Sequence, residues 1–366
     1  MKDVRQKLII ISGGGTGGPS MAPLALAQAY YELDTDARFV FFGNDEALDR
    51  QLFADNLKDL KADYYALPSG KWRRYFSWHN FSDIIKIVSA FFRAFNYLRN
   101  LKPDLIISAG SFASVPIVWA GKLLRIKILV HQQDIRPGLA NRLMAPWADK
   151  ISVCFEKSLS DYGKKAVLIG NPSEAAAVTE DAKNQLRKRF KLSPDKPLLL
   201  ITGGASGALA INKLIFAALP QLSSNWQIIH LTGEGKDENA PVQNNYQIYP
   251  NISQKDFLVL IACADIVVSR AGLGALTTLS ALARPSIIIA MPHSHQENNA
   301  AYFKTKEAAL VLVQADLNGQ KLAEEIESLY QDENKRMQLA YNISLILPKG
   351  AASKGAKIMQ AMLTEK

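Results

Sequence analysis

"LIIISGGGTGGPSMAPLALAQA", residues 8–29, is the stretch on which the fold turns. Four aliphatic residues, Leu8 to Ile11, break at Ser12 into glycines, and the chain resumes with a helical pattern. A short apolar run of this kind reads as a strand buried on both faces, and a glycine turn feeding a helix makes it the first unit of a doubly wound parallel sheet. Glycines at such a turn let backbone N–H groups approach a ligand without Cβ in the way, while the helix N-terminus adds partial positive charge. The same glycines serve equally well as a packing device. No P-loop lysine follows, and Gly43-Asn44 stands where a dinucleotide fingerprint would place an acid.

The plan repeats along the chain. Strands are expected at 7–12, 38–42, 105–108, 126–130, 150–154 and 166–169, then at 197–202, 226–231, 266–269 and 286–290, with helical patterns at 23–33, 81–100, 208–219 and 275–282. "LLLITGGASGALAIN", residues 198–212, restates the opening unit after a polar, charged stretch at 170–197. These readings give an α/β chain of two doubly wound domains, 1–168 and 169–346, facing a cleft, with a final helix at about 347–366 packing back on the first domain. A chain of 366 residues that is 48% hydrophobic and 21% charged can bury two such cores. Cys154 and Cys263 are far apart in apolar segments, which argues against a disulfide framework or a zinc site and for a reducing compartment. No signal-peptide core or membrane span is legible. The net charge of +9 therefore points to an anionic membrane surface or a nucleic acid.

Two further segments carry polar side chains to strand ends: "SRAGLGALTTLSALARP", 269–285, and "MPHSHQENNA", 291–300. Together with "GGGTGG" (13–18), "SAGSFASVP" (108–116), "HQQD" (131–134), "GNP" (170–172) and "GGASGA" (203–208), they occur in an order and spacing that resembles the MurG-type peptidoglycan glycosyltransferases. Enzymes of this family add N-acetylglucosamine to lipid I to make lipid II.

The resemblance implies a GT-B fold with the acceptor on the N-terminal domain and the UDP-sugar on the C-terminal domain. It places Arg270, Ser206, Gly207 and Gly272 at the donor diphosphate and ribose, the backbone of Ile252 at the uracil, and Gln296 and Asn299 at the sugar hydroxyls. Asn171 and Thr278 fall on the donor side as well. Gly14, Gly15, Thr16, Gly17, Gly18, Ser111 and Ser114 would hold the acceptor diphosphate. The implied partners are UDP-N-acetylglucosamine, undecaprenyl-diphosphoryl-MurNAc-peptide (lipid I) and the anionic cytoplasmic face of a bacterial membrane. No cofactor, metal or nucleic acid is implied.

Four positions depart from the family pattern. Pro19 stands where a histidine, proposed as general base, is usual; Ser173-Glu174 replaces an arginine near "GNP"; Thr278 replaces a glutamate; and Ala205 replaces a serine. Exchanging a charged acceptor for one hydroxyl replaces a hydrogen bond of about 1.5–3 kcal/mol by one of about 1 kcal/mol. A degenerate nucleotide-sugar or lipid-diphosphate binding protein of this fold, or a transferase with another donor, stays open on these grounds.

An inverting transfer needs a base for the acceptor hydroxyl. His131 and Asp134 follow the strand expected at 126–130 and are the candidates, against the plainer reading in which His131 caps the strand and Asp134 organises the turn. Asp34-Thr35-Asp36 has metal-motif spacing but reads as a polar turn. Residues 71–102 combine Trp72, Arg73, Arg74, Phe76, Trp78 and Lys86 with apolar residues at helical spacing, as an interfacial membrane anchor does. A core-facing helix with solvated charges is the alternative, and no RNA-binding module accompanies the segment.

Overall fold

The computed structural model describes residues 6–14, 17–43, 60, 62–67, 79–173, 177–204, 206–222, 224–238 and 240–364, with only the backbone at 17–19 and 79–85. The chain divides into two compact units, residues 1–173 with 348–366, and 174–347. The first boundary lies a few residues beyond the expected one. Each unit holds one parallel sheet.

Unit 1 carries seven strands: β1 (Leu8–Ser12), β2 (Arg38–Gly43), β3 (Ala62–Ala66), β4 (Leu105–Ser108), β5 (Lys127–Gln132), β6 (Lys150–Val153) and β7 (Ala166–Leu168). Their order is β3-β2-β1-β4-β5-β6-β7. Unit 2 carries β8 (Leu198–Thr202), β9 (Gln227–Leu231), β10 (Tyr246–Tyr249), β11 (Ile266–Ser269), β12 (Ser286–Ile289) and β13 (Leu310–Leu312), in the order β10-β9-β8-β11-β12-β13. Both orders reverse once, between β1 and β4 and between β8 and β11. At such a switch point the crossovers leave toward opposite faces and the carboxyl ends of the strands stay open. The expected strands form the interior of both sheets and, with β7, one edge of the first. Three strands absent from the sequence reading, β3, β10 and β13, lie at sheet edges, where half-exposed residues blur the apolar signal.

Alternation along each strand sends side chains to two layers. Ile10, Ile106 and Ile128 pack with Val115, Val118, Ala94 and Leu98 from the helices Ser114–Leu123 and His79–Leu101. Ile9, Ile11, Ile107 and Leu129 face the other way, onto Leu24, Leu26 and Ala27 of helix Gly17–Tyr31 and Ala356, Met359 and Met362 of helix Ala351–Thr364. The last helix thus completes the core of unit 1. The units also repeat a detail: Asp104 Oδ2 accepts from Leu8 N at 2.9 Å, and Asp265 Oδ2 from Leu198 N at 2.8 Å, so an acid before β4 or β11 caps the first strand beside it.

Asp34 works as a turn residue, its carboxylate accepting from Asp36 N and Tyr30 Oη. Cys154 and Cys263 are buried free thiols in different units. Gly170, in "GNP", sits where the C-terminal segment rejoins unit 1, with φ of +93° and the Pro348 carbonyl oxygen 2.3 Å from where a Cβ would lie. Both the dihedral and the contact demand glycine. Gly170→Ala is expected to destabilise the protein by at least the ~1–3 kcal/mol of a strained dihedral, read as an earlier first transition in denaturant; an unchanged transition would show that the junction relaxes freely.

Candidate functional site

In unit 1, Ser12 and Ser108 end β1 and β4 side by side, and the two glycine-containing turns rise from them. Gly14 has φ of +131°. A Cβ on Gly13 would lie 2.9 Å from Ser20 Oγ, so the helix start packs directly on the turn. After β4, Gly110 has φ of +99° and lies against Asn141 Oδ1, 2.7 Å from its Cβ position. Gly17 and Gly18 begin helix Gly17–Tyr31, with Pro19 in its first turn, where a missing N–H has no intrahelical partner. Gly15 and Thr16 lie outside the described residues.

Two expected acceptor residues are occupied in building this turn. Ser114 is fully buried and its Oγ accepts from Ser12 Oγ at 2.8 Å; Ser111 Oγ accepts from Ala113 N at 3.2 Å. Their hydroxyls shape the backbone cradle rather than line it. Among the described residues, Ser20 Oγ and Ser108 Oγ are buried beside it with no hydrogen-bond partner.

His131 proves to be a core histidine, against the expectation of a base beyond the strand end. β5 runs on to Gln132, so His131 lies inside the sheet, fully buried, with Nδ1 2.9 Å from Ser152 Oγ and Nε2 3.3 Å from Cys154 Sγ. Burial lowers its pKa to about 3, overcoming the opposing hydrogen bond to the Ser152 backbone. It offers no nitrogen to solvent. Asp134 lies past the strand end and is half-buried, on a turn held by Gln132, whose Nε2 donates to Asp134 O at 2.7 Å. Gln132 Oε1 in turn accepts from Asn141 Nδ2 at 2.6 Å and Tyr162 Oη at 3.1 Å. This network fixes the loop and was illegible in the sequence, because Tyr162 reaches Gln132 only once β5 and β6 lie side by side.

Asn171, expected on the donor side, belongs to unit 1 and closes a local turn by accepting from Ser173 N and Ser173 Oγ. Glu174 lies outside the described residues. So do Trp72, Arg73, Arg74, Phe76 and Trp78. Lys86 is exposed on helix His79–Leu101, which also exposes Val88, Phe92 and Arg93.

In unit 2 the turns after β8 and β11 flank the switch point. Gly207 N donates to Gly204 O at 2.9 Å and Gly204 N to Thr202 Oγ1 at 3.1 Å, which folds the first turn; Ser206 is exposed on it, and Ala205 lies outside the described residues. After β11, Gly272 caps helix Leu273–Ala281. Neither Gly272 nor Gly274 has a positive φ, and a Cβ on either would meet nothing within 4 Å. Packing and dihedral strain therefore do not require glycine at these two positions, and what they keep open is the approach to the helix N-terminus.

Arg270, expected to point its charge at a diphosphate, is turned into the protein instead. Its guanidinium donates to Ile289 O at 3.0 Å, Ala290 O at 2.8 Å and Gln314 Oε1 at 2.7 Å, tying β11 to the end of β12, and burial lowers its pKa. Asn299, expected at the sugar hydroxyls, is fully buried and donates from Nδ2 to Ala271 O at 3.2 Å. Thr278 is buried and donates to Gly274 O at 3.1 Å, the usual back-bond of a helical threonine. These three side chains hold the turn in place. Gln296 is half-buried, accepting from Met291 N at 3.2 Å, and Ile252 lies in the loop after β10. His293, next to them, has φ of +57° and is exposed.

Comparison with known proteins brings these features together. Residues 9–153 match the glycosyltransferase family 28 N-terminal domain and residues 198–356 its C-terminal domain. A Clostridium botulinum protein, 33% identical over 334 residues covering 90% of this chain and 92% of its own, is a UDP-N-acetylglucosamine--N-acetylmuramyl-(pentapeptide) pyrophosphoryl-undecaprenol N-acetylglucosamine transferase. A Listeria monocytogenes protein of the same description is 30% identical, covering 97% of this chain and 99% of its own. Among solved structures, Acinetobacter baumannii MurG superposes with a TM-score of 0.75 at 22% identity, covering 97% of this chain and 99% of that one. A Staphylococcus aureus MnaA–UDP structure superposes with a TM-score of 0.74 at 15% identity, covering 99% of each chain.

The buried histidines make stability depend on pH. His230, held between Tyr246 Oη and Asn212 Oδ1, is lowered by burial to about 3, like His131. Against an ordinary value of about 6.5, the unfolded chain takes up protons that the folded one refuses between these limits, so stability is full above pH 6.5 and falls toward pH 3 by up to about 1.4 kcal/mol per unit for each histidine. Thermal melts from pH 7 to 4.5 should show this fall, with a shallower slope in His131→Gln. An equal slope in that variant would count against a neutral buried His131.

Proposed function

The chain belongs to glycosyltransferase family 28 and, within it, to the UDP-N-acetylglucosamine–N-acetylmuramyl-(pentapeptide) pyrophosphoryl-undecaprenol N-acetylglucosamine transferases; from that premise we propose that it moves N-acetylglucosamine from UDP-N-acetylglucosamine to lipid I, forming lipid II. The observation that carries the donor half is the uncovered helix N-terminus at Gly272 and Gly274. Amides and helix dipole there suit a diphosphate leaving group.

In the reaction, the acceptor hydroxyl attacks the anomeric carbon, its proton passes to a base, and the bond to UDP breaks with the electron pair leaving on the diphosphate. We assign the base to Asp134. The reading is supported by its position beyond β5, by the loop network that holds it, and by the burial of His131. The backbone around Gly14 and Gly110, both of positive φ, is assigned to the acceptor diphosphate. Membrane association is assigned to residues 71–102. No helix among the described residues is long and apolar enough to cross a bilayer. The helix His79–Leu101 does expose Phe92 (60%) and Val88 (49%) beside Lys86 and Arg93, which suits the surface of an anionic leaflet.

Purified protein given lipid I and UDP-N-acetylglucosamine should release UDP and form lipid II; lipid I binding with no turnover would instead mark a degenerate binding protein. Asp134→Asn is expected to lower kcat by ~10²–10⁴ with donor KM unchanged, and wild-type turnover in that variant would remove Asp134 as the base. Gly272→Val should weaken UDP binding at least tenfold in calorimetry, and unaltered affinity would displace the donor site.

The protein should also sediment with anionic liposomes at low salt. Combined Arg73→Glu, Arg74→Glu and Lys86→Glu, or 1 M salt, should release it, at ~1 kcal/mol per basic residue near the surface. Salt-insensitive sedimentation would exclude an electrostatic anchor.

A further inference from the structure

With Arg270 turned inward, the described residues of the β8 turn, Gly203, Gly204, Ser206 and Gly207, carry no charge of their own. A charge is brought to them from the neighbouring strand. Gly207 has φ of +67°, and its Cβ position lies 2.0 Å from Thr232 O and 2.6 Å from Gly233 Cα, so the loop after β9 meets the β8 turn backbone to backbone. From that loop Lys236 bends back over the turn, its Nζ donating to Ser206 O at 2.5 Å and Gly207 O at 3.3 Å.

The base of this lysine is fixed. Asn212 Nδ2 donates to Lys236 O at 2.9 Å and to Thr232 O at 3.0 Å, and Asn212 Oδ1 is held by His230. The loop also contains Glu234, Asp237 and Glu238, but among the described residues no carboxylate pairs with Lys236. Glu234 accepts from Asn251 Nδ2 instead. An ammonium has three N–H groups, and the two carbonyls occupy two of them. We propose that Lys236 is a ligand of the donor diphosphate, supplying at the β8 turn the positive charge that Arg270 does not. The inference rests on the donor-site reading above.

The competing role is a staple that only fixes the turn. Calorimetric titration of UDP at 50 and 500 mM NaCl separates the two, because attraction between exposed charges is screened by salt and a turn defect is not. Lys236→Met is expected to bind UDP at least tenfold more weakly than wild type at 50 mM and within about threefold at 500 mM, with Lys236→Arg recovering most of the loss. Equal affinities at low salt, or the same loss at both salts, overturn the inference while leaving the donor site in place. A wild-type protein that does not bind UDP overturns the donor-site reading and this inference together.

Discussion

A parallel strand delivers the chain to one edge of its sheet, and where two neighbouring strands send their crossovers to opposite faces, the ends between them are left uncovered. That constraint organises this molecule twice. β1 is followed by helix Gly17–Tyr31 on one face and β4 by helix Ser114–Leu123 on the other. In unit 2, helix Leu209–Leu222 packs beside Gly319–Gln331, whereas Leu273–Ala281 packs beside Gln254–Cys263. The turns after β1, β4, β8 and β11, which carry four of the family's motifs, flank these openings. Backbone does most of the work there, and the polar side chains nearby chiefly hold that backbone in shape.

The two openings are built with different economy of charge. In unit 1 the cradle is made of glycine turns and short hydroxyls, with Ser12 and Ser114 joining the first strand to helix Ser114–Leu123. In unit 2 buried amide and guanidinium groups brace the loops: Asn299 holds Ala271, Arg270 holds the end of β12, and Asn212 holds the loop after β9. A buried arginine surrounded by carbonyl acceptors is well satisfied without a carboxylate, which explains how it can remain inside the unit.

The interior strands were legible because residues such as Leu8 to Ile11 and Leu198 to Ile201 are apolar on both faces, a pattern that only a buried strand explains. β3, with the sequence ADYYA, and β10, YQIY, were not, since an edge strand covered on one side mixes polar and aromatic residues without clean alternation. At the site, the motifs located the turns but not the directions of side chains. Arg270, Asn299 and His131 stand where motif order put them, yet each points inward, because hydrogen-bond acceptors and neighbours supplied by other strands decide the rotamer. Lys236 escaped notice for the converse reason. Nothing in "GEGKD" refers to the β8 turn until β8 and β9 lie side by side.

The closing helix has a consequence for how the chain is made. Residues 351–364 fill a groove between Leu26, Ile169 and the helix Gly17–Tyr31, and Gly355 lets the two helices approach so closely that its Cβ position lies 2.1 Å from Leu26 Cδ2. During synthesis all strands of unit 1 leave the ribosome long before that helix does, and the whole of unit 2 is translated in between. The first sheet must therefore wait, with one apolar face partly open, while the second closes on its own. A nascent chain stalled or clipped before residue 351 would carry a finished second unit and an unfinished first, and would expose Leu26 and Ile169 to whatever chaperone or protease meets it first.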